Sequence, residues 1–174
     1  TVASEFEQMV PAAERPEHTE GREGFYHPID IRGTAGSVRL TYIVRDFDSR
    51  LFAAREETLR KIAAFLNDRY GEGTVQVSIR EEYRNMAERF QGLDFLVDNA
   101  LEAHREVGIE PKVVAVRGGT DGSKITYMGT PCPNFCTGGT NFHGRFETVS
   151  IQAMDKIVEL IEKILTNYAE QSKK

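Results

Sequence analysis

The sequence predicts an α/β chain in two parts, and three observations carry that reading. Up to about residue 84 the apolar pattern runs helix, strand, strand, helix, strand. Further on, helices alternate with two short apolar runs at residues 113–116 and 132–137. Each run stops at glycines, which is how a strand buried on both faces reads. Between the two parts, around residues 84–90, the pattern breaks, and the domain boundary is placed there. No internal repeat is visible.

Each element has its own signal. Val2, Phe6, Met9 and Val10 share one helical face, and Pro11 stops that helix. A charged, proline-containing connection follows over residues 12–23. Residues 25–31 read as a strand and residues 33–36 as the turn into the next. There Val38, Leu40, Tyr42 and Val44 alternate with Arg39, Thr41, Ile43 and Arg45, so one face is apolar. Asp48 suits the N-cap of a long helix with Phe52, Leu59, Ile62, Ala63 and Leu66 at helical spacing. Gly71 and Gly73 end it, and Val75, Val77 and Ile79 alternate with polar residues as a half-buried strand. With one more strand ahead of Thr1 this order is the ferredoxin-like β-α-β-β-α-β unit; without it the sheet has a raw edge liable to pair with another chain.

In the second part, Leu93, Leu96, Val97, Ala100, Leu101, His104 and Val107 form a helical stripe closed by Gly108 and Pro111. His104 lies on that apolar face and reads as a packed core-edge histidine rather than a ligand. The run 113–116 follows, then a short helix around residues 123–128, then the run to Thr137. A last helix from Ser150 carries Ile151, Met154, Ile157, Val158, Ile161, Leu165 and Tyr168 along one face, read as core. The tail, residues 171–174, is expected to be disordered.

Composition limits the function classes. With 174 residues, 40% hydrophobic and 28% charged, the chain is long enough for one core or two small ones. A net charge of -5 argues against a general nucleic-acid binder. No apolar stretch approaches the roughly 18 residues of a membrane span and no signal segment opens the chain, so a soluble, cytoplasmic protein without membrane partners is expected. Cys132 and Cys136, four apart with Pro133 between them, match neither a zinc pair nor a redox motif and are expected to be reduced and buried.

The chemistry-bearing residues gather between Val113 and Glu147. Arg117 follows the first apolar run, and Gly118, Gly119, Thr120, Asp121 and Gly122 come after it. An arginine and closely approaching backbone N–H groups at a strand end suit a carboxylate or phosphate; the same glycines also suit a purely structural turn. His143 sits on a loop just past Gly138 and Gly139, as a catalytic or metal-binding group or as a plain loop residue.

The segments RGGTDG, MGTPCPN and TGGTNFHGRFE, with the amphipathic C-terminal helix, resemble the C-terminal part of the peptidase T family, zinc-dependent tripeptide aminopeptidases. PAAERPEHTEGREGFYH near the start and YIVRDFD at residues 42–48 resemble that family's lid domain, and the match is collinear over nearly the whole chain. The resemblance implies an incomplete ferredoxin-like lid over residues 1–84, possible homodimerisation through it, and the C-terminal segment of an α/β catalytic domain over 85–174. It implies that Arg117 holds a tripeptide's C-terminal carboxylate, with Gly118, Gly119 and Thr120 beside it. Arg45 and Asn85 correspond to lid positions facing the cleft; read without the resemblance, Arg45 is equally a solvent-facing strand residue and Asn85 a turn residue. His143 corresponds to one ligand of a two-zinc centre. The other zinc ligands and the catalytic glutamate of the family have no counterparts here, so the chain alone is expected to be inactive. The rival reading is a stand-alone binding or oligomerisation module holding a small anion; a decayed product of a truncated gene is a third.

Overall fold

Thr1 caps helix α1 (Val2–Met9), its hydroxyl accepting the Ser4 N–H, and the helix ends before Pro11 as the pattern requires. In the computed structural model, which describes residues 1–172, this helix opens the first of two compact units. That unit takes in residues 1–85 together with 115–119; the second takes in 86–114 and the chain from Thr120 onward.

In the first unit, α1 leads through short 3-10 turns at Ala12–Glu14 and Pro16–His18 into β1 (Phe25–Gly33) and β2 (Val38–Arg45). The strands pair antiparallel from Phe25 opposite Arg45 to Gly33 opposite Val38, with the register shifting between Pro28 and Asp30, where proline has no N–H to give the ladder. Gly33 is required at the turn: a Cβ there would lie 2.4 Å from the Ser37 carbonyl oxygen. Asp48 then caps α2 (Ser49–Tyr70), accepting the Arg50 and Leu51 N–H groups at 2.8 and 3.2 Å. Phe6, Val10, Tyr26, Leu59, Ile62, Ala63 and Leu66 form the core, with Leu40, Tyr42 and Val44 of β2 packed on it. The pair formed by Arg55 and Asp46 (2.8 Å, side chains 14% and 3% exposed) ties α2 to the end of β2.

Residues 75–79 do not form the expected strand. Val75 and Val77 still turn toward the core and Gln76 and Ser78 away from it, but Ile79 is exposed, so the alternation holds only as far as Ser78 and the ladder is missing. The Asn67 carboxamide stands in for a partner strand at the first rung. Its nitrogen donates to the Val75 carbonyl (2.9 Å) and its oxygen accepts the Val75 N–H (2.7 Å).

The second unit holds a 3-10 turn at Met86–Arg89, α3 (Asp94–Glu106), α4 (Asp121–Tyr127), the two-residue strands β3 (Gly139–Thr140) and β4 (Thr148–Val149), and α5 (Ile151–Gln171). Helices α3 and α5 pack through Ala103, Val107 and Leu160, flanked by Ile109, Ile157 and Ile164. Glu106 accepts from Asn167 (2.9 Å) and pairs with Lys163 (3.1 Å) at the edge of that contact. Mixed α/β is therefore the fold class, with sheet limited, among the described residues, to two antiparallel pairs.

From residue 113 onward four expectations fail, wholly or in part. Residues 113–116 form no strand, and Val113, Val114 and Val116 are 71%, 61% and 52% exposed. A strand buried on both faces exists only with ladder partners at both edges, and no described residue offers one. Residues 132–137 carry no ladder for the same reason, and the cysteines are free but not buried: Cys132 is half-buried and Cys136 exposed. Of the stripe expected to be core in α5, only Ile157 is among the residues packed on α3. Ile157, Leu160 and Ile164 meet α3, whereas Ile151, Met154, Val158, Ile161 and Leu165 are exposed. Gln171 closes α5 and Ser172 is a turn; the rest of the tail expected to be disordered lies outside the described residues. Among the described residues no helix is long and apolar enough to cross a membrane.

Candidate functional site

Four of the expected site residues come together in the first unit, around two aromatic rings. Arg45 ends β2 directly opposite Phe25, so the two side chains share a face of the hairpin. The Arg45 guanidinium lies over the Tyr83 ring, 5.4 Å from its centre. Tyr83 in turn presses against Gly119, where a Cβ would stand 2.1 Å from a ring carbon, so only glycine admits this approach. Arg117 stacks on the buried Phe25 at 4.7 Å. Its terminal nitrogens donate to the Thr19 carbonyl (2.6 Å), the Thr19 hydroxyl (2.5 Å) and the Glu23 carbonyl (3.2 Å), and its Nε is buried without a partner. Asn85 donates to the Phe47 carbonyl at 3.0 Å, which anchors the chain next to Tyr83.

Arg55, Arg60 and Arg69 each have a carboxylate within ion-pair distance, whereas among the described residues neither Arg45 nor Arg117 has one. Burial sets this pair apart from the other arginines that lack an ion pair: among the described residues Arg22, Arg39, Arg89 and Arg145 also have no carboxylate within ion-pair distance, but they are exposed. Arg117 spends its donors on neutral oxygens and Arg45 rests on a ring. Two half-buried guanidinium groups therefore keep their charge uncompensated around Phe25 and Tyr83. Such groups bind a carboxylate through charge-assisted, bidentate hydrogen bonds.

Thr120 and His143 belong to the second unit. The Thr120 hydroxyl caps α4, accepting the Ser123 N–H (3.3 Å) and the Asn134 amide (3.1 Å), so its visible work is structural. Gly118 is exposed, with open space where a Cβ would go. His143 is exposed on the loop between β3 and β4, in the left-handed region at φ 61°, as is Asn141 at φ 58°. Its backbone N–H donates to Glu147 Oε2 at 2.9 Å. Among the described residues no three His, Cys, Asp or Glu side chains stand close enough together to hold a metal ion. A zinc ion takes four ligands, so these residues do not by themselves fit one.

Sequence reading missed Tyr83, Phe25 and Thr19. The one available signal was Tyr83 as a lone aromatic among charged residues, two places before Asn85.

Fold and site define a two-unit α/β chain that presents a pair of uncompensated guanidinium groups among aromatic rings. No family model matches it. Curated relatives do: Peptidase T of Clostridium novyi is 47% identical over 169 residues, 97% of this chain, and Peptidase T of Caldanaerobacter subterraneus is 46% identical over 170 residues, 98% of it. The chain spans 42% of the length of each of these relatives. Over the region that it spans, the chain belongs to the peptidase T family. A crystal structure of aminopeptidase PepT from Bacillus cereus has a similar fold, with a TM-score of 0.64 over 94% of this chain and 43% of that one, at 17% identity.

Proposed function

We propose that the chain is the C-terminal part of a zinc-dependent aminopeptidase that releases the N-terminal residue of tripeptides, and that alone it does not hydrolyse them. The observation that carries this reading is the 47% identity to a Peptidase T across 97% of the chain, joined to its spanning only 42% of that relative. In this reading residues 1–84 are most of the lid and 85–174 the end of the catalytic domain.

Arg117 holds the substrate's terminal carboxylate; its uncompensated charge supports this, and the carboxylate would take over donors now spent on Thr19 and Glu23. Gly119, closely backed by Tyr83, keeps the loop next to Arg117 in place, and Gly118 leaves its backbone approachable. Thr120 fixes the loop by capping α4. Arg45 and Asn85 orient the peptide from the lid. His143 gives one imidazole to the zinc pair of the whole enzyme, and the remaining ligands and the glutamate base lie outside this chain. The same reading puts the enzyme in the cytoplasm and allows a homodimer through the lid, whose hairpin has only one strand partner on each strand among the described residues.

The test is hydrolysis of a tripeptide by the purified chain, alone and after co-expression with the upstream part of a Peptidase T relative. Expected are no turnover alone and chelator-sensitive turnover in the complemented sample. Chelator-sensitive turnover by the chain alone overturns its inactivity; a folded, associated but inactive complex overturns the peptidase reading.

A further inference from the structure

The second unit holds a cysteine–histidine pair that the peptidase reading does not use. His104 sits in α3, only 8% exposed, with its ring held between two groups. Its Nδ1 lies 2.6 Å from the Ala100 carbonyl oxygen and its Nε2 lies 3.4 Å from Cys136 Sγ. A carbonyl only accepts, so Nδ1 carries the ring proton and Nε2 is left as the acceptor facing the thiol. The thiol is the natural donor to it. Cys136 is itself exposed, so a reagent from solvent reaches the sulfur while the imidazole stays fixed behind it. Cys132 serves as an internal control: it is free and half-buried, and among the described residues no imidazole contacts it.

We propose that Cys136 is a site of reversible thiolation by small disulfides, with His104 taking the thiol proton as the sulfur attacks. The exchange balances without a further reagent. The Cys136 S–H proton passes to His104 Nε2, and the sulfur's electron pair attacks one sulfur of a disulfide R–S–S–R. The new Cys136 S–S–R bond forms as the old S–S bond breaks. The departing R–S⁻ takes the proton back from Nε2 and leaves as R–S–H, so Cys136 is oxidised and one R sulfur reduced. A positioned base of this kind speeds proton-coupled steps by about 10²-fold or more, and part of that is expected here because a thiol ionises readily without help. The site depends on a contact between α3 and the segment after α4, so it exists only in the folded unit.

The probe is hydroxyethyl disulfide, a neutral small disulfide, added to the purified full chain, with adducts located by peptide mass mapping over time. Expected are a rate at Cys136 at least about ten-fold above that at Cys132 in the native chain, and near-equal rates in denaturant. His104→Gln is expected to lower the Cys136 rate about ten-fold and leave the Cys132 rate unchanged. Equal native rates at the two cysteines overturn the proposal, as does an unchanged Cys136 rate in a folded His104→Gln chain. Should that variant fail to fold, the native-to-denatured ratio at the two cysteines in the unmodified chain decides.

Discussion

Gly119 and Tyr83 act as one device. The ring occupies the place of a Cβ on Gly119 and carries the Arg45 guanidinium on its face. In the complemented peptidase, Gly119→Ala should therefore displace the ring and lower kcat/KM for a tripeptide by about 10- to 100-fold, and Tyr83→Leu should reproduce much of that loss, both read by steady-state kinetics. A second residue-scale prediction concerns stability. Asp46 is nearly sealed from solvent against Arg55, so Arg55→Met strands a buried carboxylate and should cost about 3–5 kcal/mol in urea unfolding. Arg45, Asn85 and Arg117 were singled out in the sequence through the family resemblance, and the structure places these three in one unit. Their partners were not legible, because Phe25 and Tyr83 meet the arginines across long chain separations that no local pattern encodes.

At the scale of elements, helices could be read from the sequence and strands only in part. A helix satisfies its own backbone, so its signals are local: the caps of α2, α4 and α5 are made by Asp48, Thr120 and Ser150. Ser150→Ala should destabilise α5 by about 1 kcal/mol, measured by thermal or denaturant unfolding. Strands need partners, and the pattern at residues 75–79 and 113–116 carries no information on whether a partner is present. The face of α5 was misread because apolar residues lie on both of its sides, and only contact with Ala103 and Val107 selects Leu160. At the edge of that contact, hydrogen bonds from Asn167 and then Lys163 hold the Glu106 carboxyl below its ordinary range. A depressed carboxyl contributes stability above its unfolded pKa and loses it as pH falls through the folded value. Acid titration of unfolding midpoints should accordingly be flatter for Glu106→Gln than for the unchanged chain.

On the scale of the whole molecule, the mixed α/β class was legible and the extent of sheet was not. Val113, Val114 and Val116 have the composition of a central strand and the exposure of a loop. If the upstream part of the peptidase supplies their ladder, amide hydrogen exchange at these residues should slow markedly in the complemented complex. Unchanged exchange in a folded complex would mean that the run serves another purpose. The Asn67 carboxamide bears on the same question from the other unit. Val75 presents its N–H and C=O to one side, and both are already taken. A chain zipping onto that side finds its first docking point blocked and has to begin at Val77. One side-chain amide thus closes off the first rung of that edge.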